Sequence, residues 1–438
     1  MDTELDTTKA LLRFIEQSPT AYHAVRSLKS LLTGYTPLNE AKPWDLQPGG
    51  RYYVTRNGSS LLAFRMPVKP IRGFQMAAAH SDCPVFKIKA NGEMVVENHY
   101  VKLNVEKYGG MLCAPWLDRP LSIAGRVVVR EGDALVSRLV DLKRDVALIP
   151  NLAIHMNRGV NEGASYNAQV DMLPLFGGKD AAGTLLPLVA ASAGAEPEDI
   201  LGTDLFLYNR MPGTIWGAEN EFVSTRSLDD LQCAWALTQG FLQAEDQEDR
   251  VTLCAVFDNE EVGSGTKQGA LSTLLEDTIG RIWESTGRSG SALRQVLTNS
   301  FLVSADNGHA VHPNHPEKAD PTNRPYLNEG VVIKYNANQK YTTDGVSEAV
   351  FKTICDRAGV PWQTYCNRSD IPGGSTLGNL ANQHVSLNTV DIGLAQLAMH
   401  SPYETGGVRD TGYLVRAMQA YFSAAVEAQT DGVYLVKS

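Results

Sequence analysis

Apolar and polar positions follow two different rhythms along this chain. Near the start, Leu11, Leu12 and Ile15 lie on one helical stripe. Val25, Leu28, Leu31 and Leu32 keep helical spacing after Ser18-Pro19, which reads as an N-cap with proline in the first turn, and Gly34 ends the pattern. Residues 52–56 and 60–64 flank Asn57-Gly58, a strong hairpin signal. The apolar run Val251 to Phe257 has the unbroken texture of a buried parallel strand. Further runs, Phe74 to Ala79, Phe301 to Ala305 and Val385 to Ile392, interleave with helical patterns near Ser272 to Glu284, Val346 to Ala358 and Tyr413 to Ala428. Leu231, Trp235, Leu237 and Phe241 predict another helix, with Asp229 as its N-cap. Such alternation implies right-handed βαβ units around a mostly parallel sheet flanked by helices. From about residue 90 to 220 the pattern changes to short alternating segments with turn residues such as Asn91-Gly92 and Gly132-Asp133. The expectation is an α/β domain built from residues 1–90 and 222–438 and interrupted by a β-rich insertion over 91–221.

Composition narrows the class. A chain of 438 residues exceeds one ordinary core, and 43% hydrophobic with 20% charged residues is ordinary for a globular protein. The formal net charge of −10 argues against nucleic acid as the main partner. Six scattered cysteines without a CxxC pair suit reduced thiols, not a disulfide frame or thiolate zinc site. No apolar run reaches the roughly 18 residues of a membrane span, and the first residues lack a signal-peptide pattern, so a cytoplasmic protein without a membrane partner is expected.

The chemistry-bearing residues stand where these strands run out. His80-Ser81-Asp82 follows the Phe74 run, Glu260 and Glu261 follow Phe257, Asp306 follows Ala305, and His400 lies beyond the Val385 run. Asp229 stands at a helix start. Imidazoles and carboxylates without thiolates form the donor set of a hydrolytic zinc or manganese centre. Five such ligands suit two ions roughly 3.5 to 4 Å apart, sharing a bridging carboxylate for which Asp229 is suited. Asp82 is placed to orient His80 through its free ring nitrogen. Of the glutamate pair, one would ligate and the other would act as general base.

In register along nearly the whole chain, His80-Ser81-Asp82, Ser227-Leu228-Asp229-Asp230-Leu231, Phe257 to Ser264, Asp306 to Asn314 and Leu397-Ala398-Met399-His400-Ser401 resemble the aspartyl aminopeptidase family of co-catalytic metallopeptidases. That resemblance implies one ion on His80 and Asp306, the other on Glu261 and His400, Asp229 bridging, and Glu260 as base for a water between them. It implies two divalent ions per subunit, zinc ahead of manganese or cobalt, and removal of N-terminal Asp, with Glu as a further substrate. It also implies self-association through the insertion into a tetrahedral homododecamer. His155, in Leu152 to Arg158, looks like the family histidine that reaches a neighbouring subunit's site, although by its own context it reads as a strand residue.

An acidic substrate side chain needs a cation or a cluster of donors in the first subsite. Lys334 and Tyr341 match family positions in that pocket, and His309 is expected to touch substrate. Asp370, in the family-like stretch Ser369 to Thr376, is expected near the substrate's ammonium, with a ligand-free glycine-rich turn as the alternative. His312 and His315 receive no role. Asp230 leaves the register at Asp229 resting on the preceding leucine. The rival readings are a related metal-dependent carboxypeptidase or deacylase, and a self-assembling shell protein without catalysis.

Overall fold

The computed structural model describes residues 2–437, so Met1 and Ser438, the ends of the expected outer domain, lie outside the described residues. The chain opens with α1 (Asp2–Glu16) and α2 (Ala21–Leu31), followed by β1 (Thr36–Pro37), β2 (Arg51–Arg56), β3 (Ser60–Arg65) and β4 (Gly73–His80). Asn57 and Gly58 turn the β2–β3 hairpin with φ of 59° and 69°, the left-handed pair that a tight two-residue turn requires.

The insertion contributes β5 (Val85–Val96), β6 (Tyr100–Tyr108), β7 (Leu121–Glu131), β8 (Ala134–Asp141), β9 (Leu175–Gly178), α3 (Leu185–Ala193) and β10 (Ile200–Asn209). Its strands pair antiparallel in the order β8-β7-β10-β5-β6-β9 over a core that includes Phe86, Leu103, Trp116, Val127 and Leu207. After β11 (Thr214–Trp216) and β12 (Phe222–Thr225) come α4 (Leu228–Gln243), β13 (Arg250–Phe257), α5 (Leu274–Glu284), α6 (Gly290–Thr298), β14 (Phe301–Ala305) and β15 (Gly308–His309). The chain continues with β16 (Val331–Tyr335), α7 (Gly345–Arg357), β17 (Trp362–Cys366), α8 (Leu377–Ala381), β18 (Asn388–Gly393), β19 (Ala395–Leu397) and β20 (Glu404–Gly407). It closes with α9 (Asp410–Ser423), β21 (Ala425–Thr430) and β22 (Val433–Lys437).

The large sheet runs β1-β2-β3-β13-β4-β14-β18-β16-β17, and its centre, β13-β4-β14-β18, is parallel. Successive residues of β4 feed opposite layers: Ala77 and Ala79 pack under α4 and α9, while Phe74, Met76 and Ala78 pack under α5. Burial on both faces explains why these strands read as continuous apolar runs and not as alternating ones. The expected mixed α/β architecture, a helix-flanked sheet with a β-rich insertion, is the one observed.

The boundaries differ in instructive ways. The expected break at residues 90 and 91 falls inside β5, because pairing with β6 begins at Val85 opposite Tyr108. At the other end, β11 and β12 leave the insertion sheet and join β20, β19 and β15 in a small five-stranded sheet. The C-terminal helix stops at Ser423, where the chain turns into a β21–β22 hairpin instead of running to Ala428. The strand expected from Val385 starts at Asn388, since α8 and the turn after it occupy the preceding residues. Asp229 is not an N-cap; it and Asp230 have non-helical backbone within the first turn of α4, joined by a cis peptide.

A candidate metal centre at the carboxyl edge of the sheet

Strand register sets the site. His80 ends β4 directly opposite Phe257, the last residue of β13, so the turn carrying Glu260 and Glu261 leaves the sheet beside it. Asp306 follows β14 on the other side of β4. His400 arrives from the loop between β19 and β20, and Asp229 from the start of α4. Ligands in open α/β sheets gather at this carboxyl edge.

Asp229 lies between the two imidazoles. Its Oδ1 is 3.5 Å from His80 Nε2 and its Oδ2 is 3.3 Å from His400 Nε2. On the first side, His80 Nε2 is 3.9 Å from Asp306 Oδ1. On the second, His400 Nε2 is 3.3 Å from Glu261 Oε2. Ligand atoms of His80, Asp229, Asp230 and Asp306 lie within 4.8 Å of one another, as do those of Asp229, Glu261 and His400. Glu260 adjoins His80 and Glu261 in a third such group.

The donor set fits cations. Asp229 Oδ1, Asp230 Oδ1 and Glu261 Oε1 are buried without a hydrogen-bond partner among the described residues, an arrangement that is costly unless positive charge sits beside it. The acid–base balance of the ion-free site agrees. Burial would lower the pKa of His80, but Asp230, Asp229, Asp306 and Asp82 outweigh it and hold the imidazole well above its usual range. Burial pushes Glu260 up to about 8, helped by Asp306 and Asp82 although His80 works against it, and pushes Glu261 well up with the help of Asp229. Protons thus crowd where cations would displace them, the usual exchange on metal binding.

Asp82 is tied both to His80, whose Nδ1 lies 3.1 Å from the Asp82 main-chain carbonyl oxygen, and to the glutamate turn. Its Oδ1 is 3.3 Å from His80 Nδ1, and its two oxygens accept the backbone N–H groups of Glu260 (3.1 Å) and Glu261 (3.2 Å). Tyr108 donates to Asp82 Oδ2 at 2.6 Å and accepts from Asn259 Nδ2 at 2.7 Å. Tyr108 ends β6 of the insertion, and only the folded arrangement brings it here, so no local pattern marks it. Asp230, seen in the sequence only as an ambiguity of register, accepts the His80 N–H at 3.2 Å.

The expected substrate contacts divide. Lys334, buried at 2% exposure on β16, donates to the carbonyls of Asp306 (2.6 Å) and Asn307 (3.3 Å) and lies 3.6 Å from Asp306 Oδ2. Burial alone would lower its pKa, yet Asp306 raises it, so the ammonium stays charged. Its Nζ is 5.1 Å from the Tyr341 ring centre. His309 lines a cavity of about 330 Å³ with Tyr365, Arg368, Gln396 and Met399. Asp370 is exposed and paired at 2.8 Å with Arg368, a residue of the same cavity wall as His309. His155 stands on an exposed turn between β8 and β9, not in a strand.

Comparison with known proteins follows the same lines. The family model for the aminopeptidase I zinc metalloproteases (M18) matches residues 14–422. A probable M18 family aminopeptidase 2 of Clostridium acetobutylicum is 44% identical over 433 residues, covering 97% of this chain and 100% of the relative. One of Pseudomonas aeruginosa is 40% identical over 430 residues, covering 96% and 99%. Among solved structures, the chain resembles one in the Ape4–Nbr1 complex with a TM-score of 0.93 and 34% identity, covering 96% of this chain and 86% of that one. It resembles the S. cerevisiae mApe1 dodecamer with a TM-score of 0.86 and 29% identity, covering 96% and 97%.

Proposed function

Because the chain belongs to the M18 family of zinc aminopeptidases, and is therefore a metal-dependent aminopeptidase, we propose that it removes acidic N-terminal residues from peptides at this centre. The observation that carries the reading is Asp229, with one carboxylate oxygen toward each of two histidines. His80 and Asp306 would hold one divalent ion, Glu261 and His400 the other, and Asp229 both. Two zinc ions bound there would acidify a water and polarise the scissile carbonyl. Glu260 then takes the proton of the attacking water and returns it to the leaving amine. Asp82 keeps Glu260 in place through its main chain, and Asp230 does the same for His80.

Support for acidic specificity comes from Lys334. Its ammonium is held by the Asp306 and Asn307 carbonyls, with Asp306 Oδ2 at 3.6 Å, and this puts a fixed positive charge beside Tyr341 and His309 for a substrate carboxylate to meet. His155 and the exposed Leu152, Ile154 and Met156 around it favour a segment buried against another copy, consistent with a homododecamer in which His155 completes a neighbour's site. Among the described residues no helix is long and apolar enough to cross a membrane, and we place the enzyme in the cytoplasm.

Kinetics on amides of N-terminal Asp, Glu, Ala and Lys, with zinc, manganese and cobalt exchanged into stripped protein, test the reading. Asp and Glu should dominate kcat/KM. Equal cleavage of Ala or Lys amides would remove the acidic preference and leave the aminopeptidase.

A further inference from the structure

Glu404 does not belong to the clustered donor groups of the candidate centre, yet its carboxylate is tied to two of the residues that would ligate there. Glu404 starts β20 and is 1% exposed. Its Oε2 accepts the backbone N–H of Asp229 at 3.0 Å, and its Oε1 accepts the backbone N–H of His400 at 2.7 Å. The small sheet makes this possible: Thr225 of β12 is paired with Glu404, β12 leads to Asp229, and β19 leads to His400.

Both attached segments have backbone that needs holding. His400 has φ of 66° and Ala398 of 54°, while Ser227, two residues before Asp229, has 56°. Non-glycine residues persist in this left-handed region only where the surroundings over-determine them. A single side chain spanning both segments does this, since each oxygen fixes one amide and the rigid carboxylate fixes the distance between them. We propose that Glu404 is a positioning residue that sets the separation of Asp229 and His400, and so the affinity of the ion held by Asp229, Glu261 and His400. This rests on the two-ion reading above.

Glu404→Gln separates the possibilities. The amide keeps one acceptor oxygen but turns an NH₂ toward the other backbone N–H, so one bond is replaced by two opposed donors. Stripped wild type, Glu404→Gln and His400→Ala are titrated with zinc against a chromophoric chelator, and ions per chain and both affinities are read. The wild type should bind two ions. Glu404→Gln should bind the second ion about 10- to 100-fold more weakly, the range for lost outer partners of metal ligands, and the first with a smaller change. Two ions at wild-type affinity in Glu404→Gln, or equal weakening of both, would overturn the role of Glu404 while leaving the two-ion reading intact. Fewer than two ions on the wild type would instead overturn that reading and this one with it. Should Glu404→Gln not fold, amide-resolved hydrogen exchange on stripped wild type decides. The amides of Asp229 and His400 should be protected before zinc is added; fast exchange that only zinc suppresses would show that the metal, not Glu404, sets the spacing.

Discussion

Asp82 accepts the main-chain N–H of Glu260 at 3.1 Å while standing 3.3 Å from the ring of His80, so one carboxylate links the proposed base to a proposed ligand on a different strand. Removing it frees two amides of the glutamate turn and takes a negative charge from beside the His80 ring, whose Nδ1 keeps its 3.1 Å contact with the Asp82 main-chain carbonyl. Asp82→Ala should weaken zinc binding by about 10- to 100-fold and lower kcat as well. Dialysis against buffered zinc followed by metal analysis checks the first effect; unchanged affinity would show that the turn holds itself.

Glu260→Gln keeps the volume and removes the proton acceptor. Turnover should fall by about 10²- to 10⁴-fold, the usual contribution of a positioned acid–base group, with ion content unchanged. Activity retained on Asp-linked amides would transfer the role to another group.

Lys334→Met keeps the length of the buried stem and removes the charge. A hydrogen bond to a charged group contributes about 1.5–3 kcal/mol, so kcat/KM for N-terminal Asp should drop about 10- to 100-fold. Cleavage of a neutral N-terminal residue should drop less. A parallel loss on both would mean that Lys334 serves Asp306 alone.

Stability of the ion-free protein should fall as pH rises from about 6.5 to 8. Burial raises Glu260 to about 8, and Asp258 and Asp410 to about 7. In that window the folded state therefore keeps protons that the unfolded chain has released, and stability declines with pH. His80 and His400, also raised, act in the same direction. His23, lowered by burial to about 4, opposes them only below about 6.5. Thermal melting of chelated and zinc-loaded protein across this range is the check: zinc should flatten the slope, and an equally steep slope with zinc would contradict the site. Asp410→Asn, far along the chain at the start of α9, should flatten part of the slope without zinc.

Gly393 of β18 passes directly behind Asp306, and a Cβ there would overlap the Asp306 carbonyl oxygen. Gly393→Ala should cost about 1–3 kcal/mol by forcing the strand and the Asp306 turn apart. Urea unfolding measures it, and an unperturbed midpoint would mean that the sheet edge yields.

What the sequence made legible is what strand period and strand ends encode. Val251 to Phe257 and Phe74 to Ala79 read as buried parallel strands because both faces are covered, and the acids and histidines just beyond them come together for that reason. The illegible residues act through distance in sequence. Glu404 is 175 residues from the Asp229 amide it accepts, and Tyr108 is 151 from Asn259, so neither carries a local signal. Asp370 shows the limit of a motif: its setting pointed to a contact or a ligand-free turn, and the partner it has in the fold, Arg368, lies two residues away.

The placement of Tyr108 also bears on how the molecule is assembled. A phenol at the end of an insertion strand bonds the carboxylate that steadies the glutamate turn. Nearby, the Leu112 amide donates to the His400 carbonyl at 3.1 Å. The centre is thus walled partly by a segment made before most of its own residues have been synthesised. A trimmed enzyme lacking residues 85–209 would lose that wall: Asp82 would be without its phenol and the His400 carbonyl without its amide, while the pairing of β4 with β13 that forms the sheet edge would keep its register.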